Sequence, residues 1–315
     1  MNEINFSKLI CPRCKSDSLS RQDTQIKCKN LDCPHNNLEH WFNIVDNIPI
    51  LISDKTFDTV FDPNKIGSLV KRANQSSFFY KVKEFILGNS RTTVNNCNKF
   101  IKLIKNTNKK PSILVIGSGE KGSGTDELYN DKDISITLTD IYVTENVQYI
   151  CDAHYLPFKG SAFDGVWIQA VLEHVVDPRV VVAEIHRVMK ASGYVYAETP
   201  FMQQVHEGAY DFTRYTVLGH RYLFKDFESI LIGGNGGSGE VLSWSVKHFV
   251  WSLLRSENFA RVISFPFMIF FKILEKFSDK KSLYDSSSGV FFLGKKSSKQ
   301  ISHSDLVDLY SGFQK

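Results

Sequence analysis

The stretch Ser112-Ile113-Leu114-Val115-Ile116-Gly117-Ser118-Gly119-Glu120-Lys121-Gly122 decides the fold. Its continuous apolar run is of the kind found in a buried parallel strand, and glycines follow it at once. Glycine lets the backbone turn sharply and approach a ligand with no Cβ in the way. A strand that empties into such a turn opens a nucleotide-type α/β domain.

The next strand candidate, Ile134 to Thr139, ends in Asp140. That is about twenty residues beyond the loop, where an acid can accept both hydroxyls of a ribose. Two activities remain open at this point, a nicotinamide-dependent dehydrogenase and an S-adenosylmethionine-dependent enzyme. Gln148 to Cys151 reads as a third strand, leading to Asp152-Ala153-His154 and Leu156-Pro157-Phe158, and Phe163 to Ile168 reads as a fourth. Gln169-Ala170-Val171-Leu172-Glu173-His174-Val175 follows. Asp177-Pro178 then opens a helix that runs to Lys190, and Gly193 turns into a fifth strand, Tyr194 to Glu198.

Over residues 112–200 this succession resembles the class I S-adenosylmethionine-dependent methyltransferases, in particular the broad type 11 group. The resemblance rests on the acid followed by Leu-Pro-Phe, on Phe-Asp-Gly-Val, on Leu-Glu-His-Val with Asp-Pro behind it, and on the helix-Gly-strand order. It implies an α/β fold with a Rossmann-like, doubly wound, seven-stranded sheet and S-adenosylmethionine as cofactor. It further implies that Gly117 and Gly119, with Ser118 between them, border the methionine end of the cofactor. Asp140 would hold the ribose with Ile141 beside it, Asp152 would contact the adenine amino group, Ala153 and His154 would flank that base, and Gln169 would lie beside the methionine. Asp152 also suits a helix N-cap. In the family the histidine of Leu-Glu-His-Val generally belongs to the turn after the strand, so a structural role is expected for His174. Two positions depart from the family pattern: Val115 stands where an acid often precedes the loop, and the loop is spaced GxGxxG rather than GxGxG. They leave a non-catalytic cofactor-binding scaffold as one alternative.

Loops beyond the carboxyl ends of parallel strands form the ligand crevice, which makes Thr199 to Thr216 the substrate-site candidate. His206 is the candidate catalytic base, and Asp211, Arg214 and Tyr215 offer an acceptor, an anion fork and an amphipathic ring, the types expected around a sugar or phosphosugar. The competing reading has Asp211 to Tyr215 capping and packing the next helix, with Arg214 paired to Asp211. The phrase Tyr210-Asp211-Phe212-Thr213-Arg214-Tyr215-Thr216 resembles methyltransferases found among surface-polysaccharide biosynthesis proteins. That resemblance implies O-methylation of a saccharide or related metabolite, with a lipid-linked glycan among the acceptors.

At the other end of the chain Cys11, Cys14, Cys28 and Cys33 form a C-x2-C…C-x4-C arrangement. Two such turns facing each other supply the tetrahedral thiolate set that zinc prefers, with no open position for catalysis. Residues 11–52 look like a zinc ribbon of the type fused to, or partnered with, many methyltransferases. His35 and His40 are expected to be ordinary surface residues beside a complete four-sulfur set. Met1 to Ser7 has no basic segment followed by an apolar one, so export is not expected, the cysteines should stay reduced, and a cytoplasmic protein is expected.

With 315 residues, 42% hydrophobic and 23% charged, the chain can bury one large core and a minor one, which excludes disordered and fibrous classes. The expected organisation is a zinc-ribbon module at 1–53, a basic helical connector at 54–110, a methyltransferase domain at 111–296 with a helical insertion at about 241–280, and a polar tail at 297–315. The connector carries an apolar stripe, Ile66, Leu69, Val70 and Ala73, continued by Phe79, Val82, Phe85 and Ile86. From Lys65 to Lys110 it holds eleven Lys or Arg against the single acid Glu84, which suits either a solvated helical face or an anionic partner. An RNA methyltransferase is therefore a further alternative, with Phe78, Phe79 and Tyr80 as its thin set of stacking candidates. The aromatic insertion suits helices closing over the core, a dimer contact, or peripheral docking at the inner membrane surface, and it is too short to cross a bilayer.

Overall fold

The computed structural model describes residues 4–33, 36, 41–52 and 90–315. His35, His40, the connector stripe, its basic residues Lys65, Lys71, Arg72, Lys81 and Lys83, and Phe78, Phe79 and Tyr80 lie outside these residues.

The N-terminal segment folds into an antiparallel sheet of β1 (Leu19–Gln22), β2 (Gln25–Cys28), β3 (Phe42–Val45) and β4 (Ile48–Pro49), in that order. Asp46 and Asn47 join β3 to β4 with φ of 52° and 64°. Two successive left-handed residues are what a tight two-residue hairpin needs, and Asp and Asn tolerate that conformation well. The sequence suggested a separate minor core here, but Leu9, Ile26, Phe42 and Leu51 belong to the same buried cluster as Leu156, Phe158 and Phe163. Backbone bonds fasten the join: Ile10 N–H donates to the Pro157 carbonyl (3.0 Å) and Leu51 N–H to that of Ile150 (2.8 Å). A few short strands cannot bury enough apolar area alone, so they borrow the flank of the larger domain.

After α1 (Arg91–Thr107) come β5 (Ser112–Ile116), α2 (Asp126–Asn130), β6 (Ser135–Asp140), β7 (Tyr149–Ile150) and β8 (Phe163–Gln169). The chain continues through α3 (Pro178–Val188), β9 (Met189–Pro200), α4 (Val217–Leu223), β10 (Phe227–Asn235), α5 (Ser238–Leu254), α6 (Glu257–Glu275), α7 (Ser282–Ser286), β11 (Gly289–Lys296) and α8 (His303–Asp308). Seven strands form one sheet in the order β10-β11-β9-β8-β5-β6-β7. β5 pairs in parallel with both β6 and β8, whereas β11 is antiparallel to β9 and to β10. The chain winds outward from β5 to β7, then returns to the other side of β5. That reversal opens a crevice at the carboxyl ends of the central strands.

Both faces of the sheet are covered. Ser90 caps α1 by accepting from Thr93 N–H, and the helix buries Cys97, Phe100 and Ile104. Phe100 meets Trp167 edge-on at 5.5 Å, over Gly165, where a Cβ would stand 2.7 Å from Phe100 Cζ. On the other face α3 starts with Asp177 as its cap and Pro178 in its first turn, and turns Val181, Val182, Ile185 and Val188 inward.

Two local expectations need correction. The sequence suggests a helix at Tyr222 to Ser229 and a short strand near Ile230, but the helix is Val217–Leu223, and β10 has begun by Phe227. Arg221 donates to the carbonyls of Phe224 (2.7 Å) and Phe227 (2.9 Å), and so holds the chain where it leaves the helix. The tail is not featureless either: it contains α8, and Tyr310 donates its hydroxyl to Asp285 (2.5 Å).

Candidate active site

The crevice widens into a cavity of about 2280 Å³, walled by the ends of β5, β6, β8 and β9 and partly roofed by Trp244 and Ile269 of the α5–α6 hairpin. Gly117 begins the turn after β5 with φ 79°, where a Cβ would collide with Val171 Cγ2. Gly119 N–H donates to Asp140 Oδ2 at 2.7 Å, and a Cβ on Gly119 would lie 2.8 Å from that oxygen. Tyr142 N–H holds Oδ1 at 3.0 Å. Glycine turn and acid are thus locked together, the acid aimed along the cavity wall.

Gly117, Asp140, Ile141, Asp152, Ala153 and Gln169 all line this cavity. Ser118 is buried, Gly119 meets Asp140 from behind the wall, and His154 turns inward at 7% exposure. His154 Nε2 accepts from Asp177 N–H (3.2 Å), which leaves Nδ1 as the proton carrier donating to Asp152 Oδ1 (2.7 Å). Asp152 also caps the following turn by accepting from His154 N–H (2.9 Å). His154 is therefore a strut between β7 and α3 rather than a residue facing into the cavity.

One group of wall residues was not singled out from the sequence. Glu198, at the end of β9, is 8% exposed and accepts from Thr93 Oγ1 (2.8 Å), Gln169 Nε2 (2.9 Å) and the Tyr196 hydroxyl. Burial raises its pKa against the pull of these donors. Asn235 of β10 donates to Thr93 Oγ1 (3.1 Å) and so extends the chain of contacts. An acid ending a strand beside the crevice was the available signal, but its partners lie on α1, β8 and β10.

The candidate substrate residues divide. His206 lines the cavity, whereas Asp211, Arg214 and Tyr215 stand behind that wall. Arg214 grips Asp211 with a two-pronged ion pair, its Nη2 at 2.6 Å, and also donates to the carbonyls of Gln203 and Gln204. Burial opposes ionisation of Asp211, but Arg214 and the His206 amide outweigh it and hold the carboxyl at about 2. The pair therefore fastens the loop: Arg214 is paired to Asp211 as the competing reading held, whereas the next helix is capped by Thr216.

On the cavity side of that loop stand Glu173, His174 and His206, one ligand atom of each within 4.8 Å of the others. Glu173 is fully buried, and burial pushes its carboxyl up to about 8. Burial, then the neighbouring His174, lowers the His206 pKa. His174 faces the cavity rather than serving only the turn after β8.

At the far end of the domain the four N-terminal cysteines converge, with Cys11 Sγ 3.7 Å from Cys33 Sγ and Cys14 Sγ 3.6 Å from Cys28 Sγ. The cluster is consistent with a zinc site.

The strand order, the glycine turn at the switch point and the acid ending the second central strand define the class I methyltransferase fold. Residues 114–197 match the family described as methyltransferase domain, and the chain carries an S-adenosylmethionine-dependent methyltransferase domain there. Among solved structures, a SAM-dependent methyltransferase from Archaeoglobus fulgidus is 18% identical, with 70% of this chain and 100% of that one covered and a TM-score of 0.42. Phosphoethanolamine N-methyltransferase 2 of Haemonchus contortus is 17% identical with a TM-score of 0.42, over 71% of this chain and 59% of that one. Coclaurine N-methyltransferase is 14% identical with a TM-score of 0.41, over 73% and 77%. No curated protein sequence matches the chain.

Proposed function

We propose that the domain methylates an oxygen of a saccharide or related metabolite. The supporting observation is the continuity of one cavity from the Gly117 turn and Asp140 to the polar group of Glu173, His174 and His206. S-adenosylmethionine supplies an electrophilic methyl group when bound. The glycine turn admits a close-lying ligand and Asp140 presents an acceptor for ribose hydroxyls, so the residues present fit that cofactor. Ile141, Asp152 and Ala153 complete the adenosine side, and Gln169 stands towards the methionine side. At the acceptor end, the Glu173–His174–His206 group receives the hydroxyl proton, with His206 the member nearest solvent. Arg214, Asp211 and Tyr215 position the loop that carries it. A saccharide acceptor is favoured by the resemblance of the Tyr210–Thr216 phrase to surface-polysaccharide methyltransferases. Incubating the protein with S-adenosylmethionine and candidate sugars tests this: a hydroxylated sugar should gain the mass of one methyl group. Tight cofactor binding with no turnover on any hydroxylated acceptor would favour the scaffold reading instead.

The cysteine cluster is read as a structural zinc site. Zinc–sulfur bonds of about 2.3 Å in a tetrahedron set the sulfurs about 3.8 Å apart, close to the Sγ separations found. Four thiolates leave no open position, so the ion would hold the N-terminal strands together rather than act on substrate.

The α5–α6 hairpin is read as a peripheral contact with the cytoplasmic face of a membrane, where a lipid-linked acceptor would be met. In favour are Phe249, Phe259, Phe270 and Phe277, exposed by 65%, 66%, 54% and 84%, with Lys272 and Lys276 nearby. Among the described residues no helix is long and apolar enough to cross a membrane.

A further inference from the structure

We propose that Glu173, His174 and His206 form a second metal site, one that takes a divalent first-row cation through two imidazoles and one carboxylate, with an open position towards the cavity. The inference deepens the acceptor end of the reading above, but its readout is cation binding by the resting protein and needs no methyl transfer.

Three observations converge. Glu173 is fully buried, yet neither carboxylate oxygen has a hydrogen-bond partner among the described residues. A carboxylate removed from water is costly unless a charge or donors compensate it. Around it stand nitrogen ligands rather than hydrogen-bond donors: His174 Nε2 is 3.5 Å and His206 Nε2 3.8 Å from Glu173 Oε1. These gaps are too long for good hydrogen bonds and leave room for an ion between the three atoms.

Both rings are also oriented from behind. His174 Nδ1 lies 2.7 Å from the Tyr210 carbonyl oxygen, which can only accept, so this nitrogen carries the proton and Nε2 presents its lone pair. His206 Nδ1 lies 3.3 Å from Asp211 Oδ2, whose carboxylate Arg214 holds in place. A carbonyl or carboxylate behind the imidazole is the usual support of a metal-binding histidine, because it fixes the tautomer and makes the other nitrogen more basic. Two histidines and one carboxylate with an open position suit iron, manganese, cobalt or zinc. The open position faces the cavity, where the cation would polarise an acceptor hydroxyl or water; with the ion bound the three side chains no longer take the hydroxyl proton, which leaves to cavity water instead.

Titrating the full chain with Co2+ after loading a single equivalent of Zn2+, which the four cysteines take first, tests the proposal, because absorption separates thiolate-bound cobalt from nitrogen- and oxygen-bound cobalt. Expected is one equivalent of Co2+ with weak d–d bands and no thiolate charge-transfer band, bound at least tenfold more weakly by His174→Gln and by His206→Gln. His206 is 30% exposed at its side chain, so its variant should keep the fold, checked by circular dichroism. The proposal is overturned if only thiolate-bound cobalt is seen, or if folded His206→Gln binds Co2+ as tightly as the parent with unchanged d–d bands.

Discussion

Gln169 donates its side-chain amide to Glu198 Oε2 at 2.9 Å, joining register partners at the carboxyl ends of neighbouring parallel strands. Through Thr93 and Asn235 the same contact reaches α1 and β10. One wall of the cavity is therefore a hydrogen-bonded unit rather than a row of independent side chains, and the glycine turn packs against it.

Asp140 is expected to carry much of the cofactor's ribose recognition. Asp140→Ala should weaken S-adenosylmethionine binding by roughly 1–3 kcal/mol, since it removes hydrogen bonds to a charged acceptor and frees the Gly119 loop. Calorimetric titration checks it, and an unchanged affinity contradicts the assignment.

Gly117→Ala should lower stability even without cofactor. A φ of 79° is unfavourable for alanine and its methyl would meet Val171, so a cost of about 1–3 kcal/mol is expected. Urea denaturation of the two proteins measures it, and equal midpoints and slopes would show that the turn relaxes freely.

Removing zinc should loosen more than the N-terminal strands, because Cys11, Cys28 and Cys33 share the cluster that contains Leu156 and Phe158. Metal analysis should find zinc that Cys14→Ser loses, with a drop in melting temperature. Equal zinc content in parent and variant would remove the four-thiolate reading.

Asp164 provides a pH test. It is 5% exposed and accepts from Ser112 N–H (2.9 Å), Asn108 Nδ2 (3.3 Å) and Lys190 Nζ (2.9 Å). Burial works against its ionisation, but these contacts outweigh it and lower the pKa below the ordinary 3.8. Because the folded value is depressed, the contribution is complete above the ordinary carboxylate range and is lost as pH falls through the lower, folded value. Asp164→Asn should therefore destabilise at neutral pH, by about 1–3 kcal/mol, and progressively less in acid, with partly exposed Lys190 adding little. Denaturation midpoints at a series of pH values would reveal the convergence; a constant gap would refute it.

The α5–α6 hairpin should bind anionic vesicles at low salt and release them as salt rises. In flotation, replacing Phe249, Phe259 and Phe277 by serine should abolish the floating fraction. A parent protein that stays at the bottom of the gradient at low salt excludes the membrane contact.

Some of this protein could be read without coordinates because it is written in local spacing. The apolar run ending at Gly117, Asp140 at the close of the next strand, and the paired cysteines are patterns that chain geometry alone makes specific. The seven-stranded sheet that the family resemblance implied is present. The helix after β9 was misplaced, since local spacing does not report Arg221 holding the chain where it leaves the helix. Arg214 and Asp211 were legible as a pair, but only packing decides that they face each other instead of the cavity.

The amino-acid sequence by itself determined the class of domain, the glycine turn and the pairing of four cysteines. Tertiary structure decided which polar groups share a space. Thr93 and Glu198 are 105 residues apart, and His206 meets Glu173 only because the loop after β9 folds back across the end of β8. Periodicity reports which face of an element is buried. What a buried carboxylate confronts depends on how separate segments pack, and that is a property of the folded chain as a whole.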